Sequence, residues 1–205
     1  MDAKAAGQAD TDADRPPAVV VHLEEQARLL ELARLAVAVT AGARPEVALR
    51  EAIAAGPLPE RSAAAFVTLT RHGDLRGCMG NLDAGNPAWA SVVDAARWAA
   101  GGDPRFGSVA PRELAALDLD ISILGPLVPL TDPRAFRPGI DGIVVRRDGR
   151  RGLLLPEVAE SVGYGPTDML DAGCRKAGLP RDAWTRPGTE LLVFRTHRFG
   201  GPATA

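Results

Sequence analysis

The sequence predicts an α+β protein, in which helices and strands occupy separate stretches of the chain. Helical and strand-like patterns follow one another without the regular alternation that marks doubly wound proteins. A hairpin signal supports this prediction, because the run GIVVRRDGRRGLLLP, Gly142 to Pro156, places two apolar segments around Asp148-Gly149. An Asp-Gly pair between apolar runs is typical of a tight β-hairpin, so antiparallel pairing is expected in at least part of the structure.

Helices are expected where apolar residues recur every three or four positions, as in HLEEQARLLELARLAVAVT, which Gly42 then ends. Before them, residues 1–17 are rich in alanine, aspartate and glycine and predict a disordered tail, followed by one domain over residues 18–200. Proline in a first turn and glycine after a last turn mark the other boundaries. The expected helices cover residues 22–40, 45–55, 86–100, a short run from 156, and 167–177 with Thr167 as its cap.

Strands are expected where apolar and polar residues alternate, or where short apolar runs are bounded by turns. The run LDLDISIL alternates with period two, so one face carries leucine and isoleucine and the other carries aspartate and serine. The run RHGD, with Gly73 suited to positive φ, is expected to connect a first strand to the returning strand LRGCMGNL. The expected strands cover residues 63–70, 75–82, 117–124, 143–145, 153–155 and 190–199.

Composition argues against several classes of function. Lysine and arginine number 24 against 26 acidic residues, and aromatic residues make up 4%, so a basic or base-stacking surface for nucleic acid is not expected. No apolar run is long enough to span a membrane, and the N-terminus lacks an apolar signal core. Two cysteines are too few for a disulfide framework, so a cytoplasmic location is predicted.

The box LRGCMG, Leu75 to Gly80, is the first candidate site. In an extended segment Arg76 and Cys78 point to the same face, and a fixed positive charge beside a thiol favours the nucleophilic thiolate. Gly77 and Gly80 have no side chains, so a substrate or another backbone can approach closely. Cys78 is then a catalytic nucleophile, and the arginine and glycines bind the substrate. The alternative is a small buried thiol that only packs in the core.

Residues on two further segments complete this candidate site. Asp118, Asp120 and Ser122 share one face of a strand, where Asp120 is expected to act as an acid or base and Ser122 to bind the substrate. The alternative is that this face is simply the wet side of a sheet. Arg105, in DPRF, is placed either to bind a carboxylate or phosphate, or to pin a loop through Asp103 or a carbonyl.

Neither a metal nor a cofactor is expected. His22, His72 and His197 share no metal-ligand spacing, neither CxxC nor HExxH occurs, and no glycine pattern resembles a nucleotide-binding loop. His72 lies in a predicted turn close to the cysteine strand, so it is either a base for Cys78 or a solvated turn residue. Cys174 lies on a predicted helix and is expected to pack against the core.

Eight segments of the chain occur in an order that resembles the AMME-syndrome chromosomal-region family. Bacterial and archaeal members of this family are also called AmmeMemoRadiSam system protein A. The resemblance runs from about Val20 to Phe199, and its most specific elements are the LRGCMG box and the later pair LLPEVA and CRKAGL. The segments are FVTL, LRGCMG, DPRF, ELAALDLDISIL, GIDGIVV, GLLLPEVAESVGY, CRKAGL and VFRTHRF, with a tryptophan, Trp184, between the last two.

The resemblance implies an α+β fold of two intimately packed α/β lobes, built on mixed or antiparallel sheets. It also implies that the LRGCMG box lies near a cleft, although no reaction is attached to the family. Its prokaryotic members resemble one part of a gene set with a Memo-like protein and a radical S-adenosylmethionine protein, which makes these two candidate partners. Asp141 stands where many members carry histidine, so it either substitutes for that residue or marks the loss of its role.

Two hypotheses about function follow. In the first, the protein is an enzyme that acts on a small, anionic molecule through Cys78 and Asp120. In the second, it is a non-catalytic binding or adaptor module, in which Arg76 makes the important contact and Cys78 only packs. The rate at which the thiol is alkylated near neutral pH distinguishes them, because an activated thiolate reacts fast and an inert buried thiol does not.

Overall fold

The computed structural model describes residues 15–203, which form two compact units. The first unit contains Ala18–Gly125 and the C-terminal strand from Thr196, and the second contains Pro126–Arg195. The chain therefore leaves the first unit once and returns to complete its sheet. Most of the expected tail, residues 1–14, lies outside the described residues.

Eight strands and five α-helices make up the regular structure of the described residues. The strands are β1 Ala65–Arg71, β2 Asp74–Gly80, β3 Leu117–Leu124, β4 Val128–Pro129, β5 Gly142–Arg147, β6 Arg150–Leu154, β7 Glu190–Phe194 and β8 Thr196–Pro202. The helices are α1 Leu23–Thr40, α2 Glu46–Ala54, α3 Ala88–Gly101, α4 Glu157–Val162 and α5 Pro166–Lys176. Both sheets are antiparallel and the helices are grouped beside them, which confirms the predicted α+β class.

The first unit is a four-stranded sheet in the order β2-β1-β3-β8, with α1, α2 and α3. The alternation in β3 determines its orientation as predicted, because the four residues with odd numbers are fully buried and join the core of α1 and α3. The opposite face carries Asp118, Asp120 and Ser122. Leu119, Ile121 and Ile123 of β3 pack in one cluster with Val67, Leu69, Leu29, Leu32, Val92 and Ala96. The candidate site therefore lies on the sheet face turned away from this core.

The second unit is a four-stranded sheet in the order β4-β7-β5-β6, covered by α5. Ile143, Val145 and Val193 share a buried cluster with Met169 and Leu170 of α5. Helix α5 lies close to the sheet at Gly152, where an added Cβ would come within 2.3 Å of the Gly173 carbonyl oxygen. Cys174 is 0% exposed in the same cluster, so it packs against the core as predicted.

Both predicted hairpins form through two-residue turns. His72 and Gly73 have φ of 54° and 87°, and Asp148 and Gly149 have φ of 50° and 75°. Positive φ at both central residues is the turn geometry that matches the twist of paired strands. The sequence signal was therefore sufficient at these two positions, because the turn chemistry is local.

The last expected strand, residues 190–199, is wrong as a single element. The chain breaks at Arg195: β7 pairs with β5 in the second unit, and β8 pairs with β3 in the first. Neither glycine nor proline occurs between Glu190 and Phe199, so no turn residue in the sequence marks the change of sheet. Only the identity of the pairing partners separates the two strands.

Thr167 is not the cap of the helix in which it was expected. Helix α5 begins at Pro166 with Gly165 as its N-cap, and the Asp168 carboxylate accepts the Gly165 N–H at 3.1 Å. Proline in the first helical turn needs no N–H partner, which moves the start one residue earlier. Across residues 15–203, no helix combines the length and apolarity that crossing a membrane requires.

Candidate functional site

Cys78 lies on β2, an edge strand, with its side chain on the polar face of the first sheet and partly exposed. Its neighbour on β1 is Thr68, and the next residue across the sheet is Asp120 on β3. The Thr68 hydroxyl donates to the Cys78 sulfur across 3.3 Å. The thiol therefore has a polar neighbour and access to solvent, unlike the second cysteine.

The expected contact between Arg76 and Cys78 is replaced by another set of partners. The register of β1 and β2 shifts between Leu69 and Thr70, so Arg76 is the extra residue of a β-bulge. A bulge breaks the alternation of side chains, which removes the basis for expecting Arg76 on the face of Cys78. The bulge was not visible in the sequence, because it depends on pairing with β1.

The guanidinium of Arg76 is bound on all sides by the segment between α3 and β3. Its Nε and Nη2 donate to both carboxylate oxygens of Glu113 at 2.9 and 3.1 Å. Nη1 and Nη2 also donate to the carbonyl oxygens of Gly107 and Ser108. The pKa of Arg76 is raised by its hydrogen bond to Glu113, and the pKa of Glu113 falls to about 2, chiefly because of the same bond. Arg76 thus anchors a loop.

The Asp-Pro-Arg run of DPRF holds the backbone of Cys78. The Asp103 carboxylate accepts the Cys78 N–H at 2.9 Å, and Arg105 Nη2 donates to the Cys78 carbonyl oxygen at 3.3 Å. Arg105 Nε and Nη2 also donate to Asp103, at 2.9 and 2.7 Å. Both structural alternatives weighed for Arg105, an ion pair with Asp103 and a bond to a carbonyl, are therefore present. Half of the Arg105 side chain, 52%, remains exposed.

The ionisation of Asp103 and Arg105 is determined mainly by the ion pair that they form with each other. The hydrogen bonds from Arg105, together with the N–H of Cys78, hold the pKa of the buried Asp103 carboxyl far below its usual range. The pKa of Arg105 is raised mainly by Asp103, with a smaller contribution from the electrostatic interaction with Cys78. Arg105 therefore lies close enough to Cys78 for the two groups to interact electrostatically.

Backbone atoms of the protein itself occupy the space beside Gly77 and Gly80. A Cβ at Gly77 would lie 2.2 Å from the carbonyl oxygen of Ala99 in α3. A Cβ at Gly80 would lie 2.2 Å from the carbonyl oxygen of Ala65 in β1. The predicted close approach is real, but the space beside each glycine is filled by a helix or a strand, which leaves no room there for a substrate.

Asp120 and Ser122 share the polar face but differ in their surroundings. Arg198 of β8 donates to Asp120 at 2.8 Å, and Gly200 leaves room for that carboxylate. Ser122 is only 4% exposed, so this end of the face is not a wet surface. Asp120 is two strands away from Cys78, or about 10 Å, so it does not contact the thiol directly.

His72 lies apart from the cysteine within the first unit, and Asp141 belongs to the second unit. His72 occupies the hairpin turn four residues beyond Thr68, about 13 Å along the strand from the position of Cys78, which favours the solvated turn residue. Asp141 belongs to the second unit and is 3% exposed. Its carboxylate accepts from Arg137 Nε and Nη2 at 3.1 and 3.2 Å, and Arg195 Nε lies 3.9 Å away. Asp141 therefore forms a buried ion pair with two arginines.

Sequence reasoning missed Thr68 and Glu113 as parts of the site, and it named Asp103 only as a partner of Arg105 and not as a group that binds Cys78. One signal for Asp103 was present, because the Asp-Pro-Arg run occurs twice. In the second run, the Asp132 carboxylate accepts hydrogen bonds from the N–H and the guanidinium of Arg134, at nearly the same distances as in the Asp103–Arg105 pair. This second pair lies on the surface. The run therefore forms a local ion pair by itself, and the first copy additionally binds a strand. Among the described residues, no group of three or more histidine, cysteine or acidic side chains is arranged to hold a metal ion.

The chain is an α+β protein with two antiparallel sheets and the LRGCMG box on an edge strand. Comparison with known proteins identifies the family with these features. A family model described as AMMECR1 matches residues 30–199. The chain belongs to the AMMECR1 family, which confirms the resemblance drawn from the order of its segments.

Relatives in archaea are similar over most of their length. A protein of Methanothermobacter thermautotrophicus is 41% identical over 140 residues, which cover 65% of this chain and 73% of that protein. A protein of Methanopyrus kandleri is 38% identical over 143 residues, covering 65% and 69%. The crystal structure of an uncharacterized protein from Pyrococcus horikoshii has a TM-score of 0.79 at 29% identity, covering 90% of this chain and 96% of that one.

Proposed function

We propose that the protein is an enzyme in which the Cys78 thiolate is the nucleophile and Arg105 binds the anionic group of a small substrate. The observation that carries this proposal is the set of hydrogen bonds around Cys78. Its N–H, its carbonyl oxygen and its sulfur each have a polar side chain as partner, while the residue stays partly exposed. A thiol that only fills space in a core needs none of these contacts.

Each partner has a defined part in this chemistry. Asp103 fixes the peptide of Cys78, which holds the sulfur in one position relative to the sheet. Arg105 supplies the positive charge that favours the thiolate, and its exposed side offers a planar donor to a carboxylate or phosphate. The Thr68 hydroxyl donates to the sulfur and so stabilises its negative charge. Asp120 and Ser122 line the same face and are proposed to orient the far end of the substrate.

Arg76, Gly77 and Gly80 support this site from behind. Arg76 holds the loop that carries Arg105, and the two glycines let α3 and β1 pack against β2. Asp141 takes no part in the reaction proposed here, since its carboxylate is committed to arginine side chains of the second unit. A Memo-like protein and a radical S-adenosylmethionine protein are the partners that family resemblance suggests for the wider pathway.

The test is the rate of alkylation of Cys78 by iodoacetamide in the native protein, followed by mass spectrometry near neutral pH. Cys174 is an internal control in every sample, because it is fully buried and burial raises its pKa. We expect Cys78 to react at least about tenfold faster than Cys174. Equal, slow modification of both cysteines until the protein unfolds would refute the proposal.

Two variants separate activation from simple exposure. Arg105→Gln should slow alkylation of Cys78 by removing the positive charge, and Thr68→Val should slow it by removing the hydroxyl donor. The matched control is Arg134→Gln, which breaks the second Asp-Pro-Arg ion pair far from either cysteine in sequence and should leave the rate unchanged. If Arg105→Gln and Arg134→Gln behave alike, Arg105 does not activate the thiol.

A binding module is the second candidate, and one observation favours it. Arg105, on the loop after α3, and Arg198, on β8, expose about half of their side chains, 52% and 45%, so anionic groups can reach them without any chemistry at Cys78. In that case Cys78→Ala should bind a test anion such as inorganic phosphate as well as the unaltered protein does, while Arg105→Gln should not. Calorimetric titration of the two variants tests this anion site, which both candidates share, and the alkylation rates above decide whether Cys78 adds chemistry to it.

A further inference from the structure

The segment that leads into α1 is attached to the first unit by side chains. Residues 19–21, three consecutive valines here called the strap, form no backbone–backbone hydrogen bond within the part of the chain that the structure describes. Their three carbonyl oxygens lie, in chain order, 3.2 Å from His197 Nδ1, 3.0 Å from Arg61 Nη1 and 2.8 Å from Gln26 Nε2. Donors from β8, from the segment before β1 and from α1 therefore hold the strap.

The ring of His197 contributes to two of these attachments. Its Nδ1 faces the carbonyl oxygen of Val19. Its Nε2 lies 3.1 Å from Nε2 of Gln26, the same amide nitrogen that donates to Val21. The ring belongs to β8 and lies beside the ring of Phe199, with 5.8 Å between the two centroids. A change at the ring therefore reaches both ends of the strap.

Only one protonation state of His197 satisfies all of these groups. A carbonyl oxygen can only accept, so Nδ1 must carry a hydrogen in order to bond Val19. The oxygen of Val21 can only accept as well, so Gln26 must present its NH₂ group here, and that group can only donate to the ring. Nε2 of the ring must therefore be the acceptor. The arrangement requires a neutral imidazole with its hydrogen on Nδ1.

Protonation of the ring places two donors against each other. The new N–H on Nε2 of His197 would point at the NH₂ group of Gln26, 3.1 Å away. A half-turn of the amide would bring its oxygen to the ring, but the carbonyl of Val21 would then lose its donor and face another oxygen. Whichever way the amide turns, protonation costs one hydrogen bond of this network.

The charged groups on the surrounding elements are paired with one another. Glu25 of α1 and Arg61 form an ion pair, with 3.3 Å between Oε1 and Nε. Arg198, the next residue of β8, lies on the opposite face of the sheet and donates to Asp120. On β3, the residue that pairs with the histidine is Ile123. Both carboxylates already have an arginine partner, so neither compensates for the bond lost on protonation.

We propose that His197 makes the attachment of the strap depend on pH, because the neutral ring holds residues 19–21 and the protonated ring releases them. Release uncovers Val21, which is 2% exposed in the core of the first unit, and Val19, which packs against that core. A released histidine gains its proton at the ordinary value of about pH 6.5, so the strap is held above this pH and is released progressively below it.

The first test determines which ring nitrogen carries the hydrogen. Nitrogen-15 chemical shifts of the histidine rings in the unaltered full chain distinguish the Nδ1–H form from the Nε2–H form. We expect the Nδ1–H form for His197 at about pH 7.5, where the ring is neutral. A hydrogen on Nε2 would overturn the proposal, because such a ring could not donate to Val19.

The second test measures release of the strap by limited proteolysis with thermolysin, which cleaves before valine and leucine. Cleavage within residues 18–23 is compared at about pH 7.5 and 5.5, and each rate is divided by that of a free peptide of the same sequence. A proton that binds only the released form makes the released fraction about tenfold larger at the lower pH. An unchanged ratio, or an equal rise in cleavage elsewhere in the chain, would contradict the proposal.

Two variants assign the effect to one histidine. His197→Asn keeps a donor close to the position of Nδ1 but does not gain a proton, so its pH dependence should disappear. The matched control is His22→Gln, which replaces the exposed histidine directly after the strap and should keep the full tenfold change. The proposal is wrong if His197→Asn keeps that change or His22→Gln loses it. Circular dichroism checks folding, and the nitrogen-15 measurement needs no variant. Neither test depends on the chemistry of Cys78.

Discussion

Replacement of Gly77 by alanine tests the packing that places β2 against α3. The added Cβ would lie 2.2 Å from the carbonyl oxygen of Ala99 and 3.1 Å from its carbonyl carbon. Ordinary contacts begin at about 3.4 Å, so helix and strand must separate by about 1 Å. Gly77 does not have a positive φ, and the whole penalty therefore comes from this contact.

The size of the effect follows from two opposing contributions. Overpacking in a well-packed core costs about 1–3 kcal/mol, and a clash between two backbones belongs at the upper end because neither can rotate away. Alanine in place of glycine also stabilises the folded state by about 0.4–1 kcal/mol, through the reduced freedom of the unfolded chain. The net loss is expected to be about 2 kcal/mol, which for a chain of this size lowers the melting temperature by about 4–8 °C.

Gly107→Ala is the matched control for this measurement. Gly107 also lacks a positive φ, and an added Cβ there would meet no atom within 4 Å. The control should be unchanged or slightly more stable, since only the unfolded state is affected. Thermal unfolding followed by far-ultraviolet circular dichroism compares the two variants with the unaltered protein. Equal melting temperatures for the two variants would show that α3 does not constrain Gly77.

Three further predictions, one of them with a control substitution, test the ion pairs and hydrogen bonds. The hydrogen bond from Arg76 lowers the pKa of Glu113 from 4.5 to about 2. The contribution of this bond to the free energy of unfolding is therefore complete above about pH 4.5 and is lost as the pH falls toward 2. In urea titrations over that range, Glu113→Gln should lose less stability than the unaltered protein. Asp141→Asn should cost about 2 kcal/mol by the same method, whereas Asp132→Asn, on the surface, should leave the free energy of unfolding nearly unchanged; similar losses for the two variants would mean that burial adds nothing. Trp184→Phe removes the Nε1–H that bonds Asp171 at 2.8 Å and should cost about 1 kcal/mol; no loss in thermal unfolding would contradict the importance of that bond.

The two hairpins show where local sequence is sufficient. The turns at Gly73 and at Asp148-Gly149 were correctly predicted, because the positive φ that a two-residue turn requires depends only on the two residues in it. The strand at 117–124 was likewise predicted with its correct buried face, since alternation determines which side chains face the core. The burial of Cys174 followed from the same kind of reasoning.

The candidate site shows where local sequence is insufficient. The expectation that Arg76 lies beside Cys78 assumed a regular strand, and the bulge opposite Thr70 removed that regularity. Asp103 and Glu113 reach the cysteine strand from 25 and 37 residues along the chain, so their roles depend on how the loop folds back. No spacing rule within β2 could have identified them.

Sequence by itself therefore determined the family, the α+β class, the hairpins and the buried face of β3, because each depends on a local pattern or on the order of segments. Tertiary structure decided the partners of Arg76 and Arg105, the packing against Gly77 and the division of residues 190–199 between two sheets. The physical reason is common to all of these. A hydrogen bond or a close contact belongs to two segments, and a sequence pattern describes only one of them.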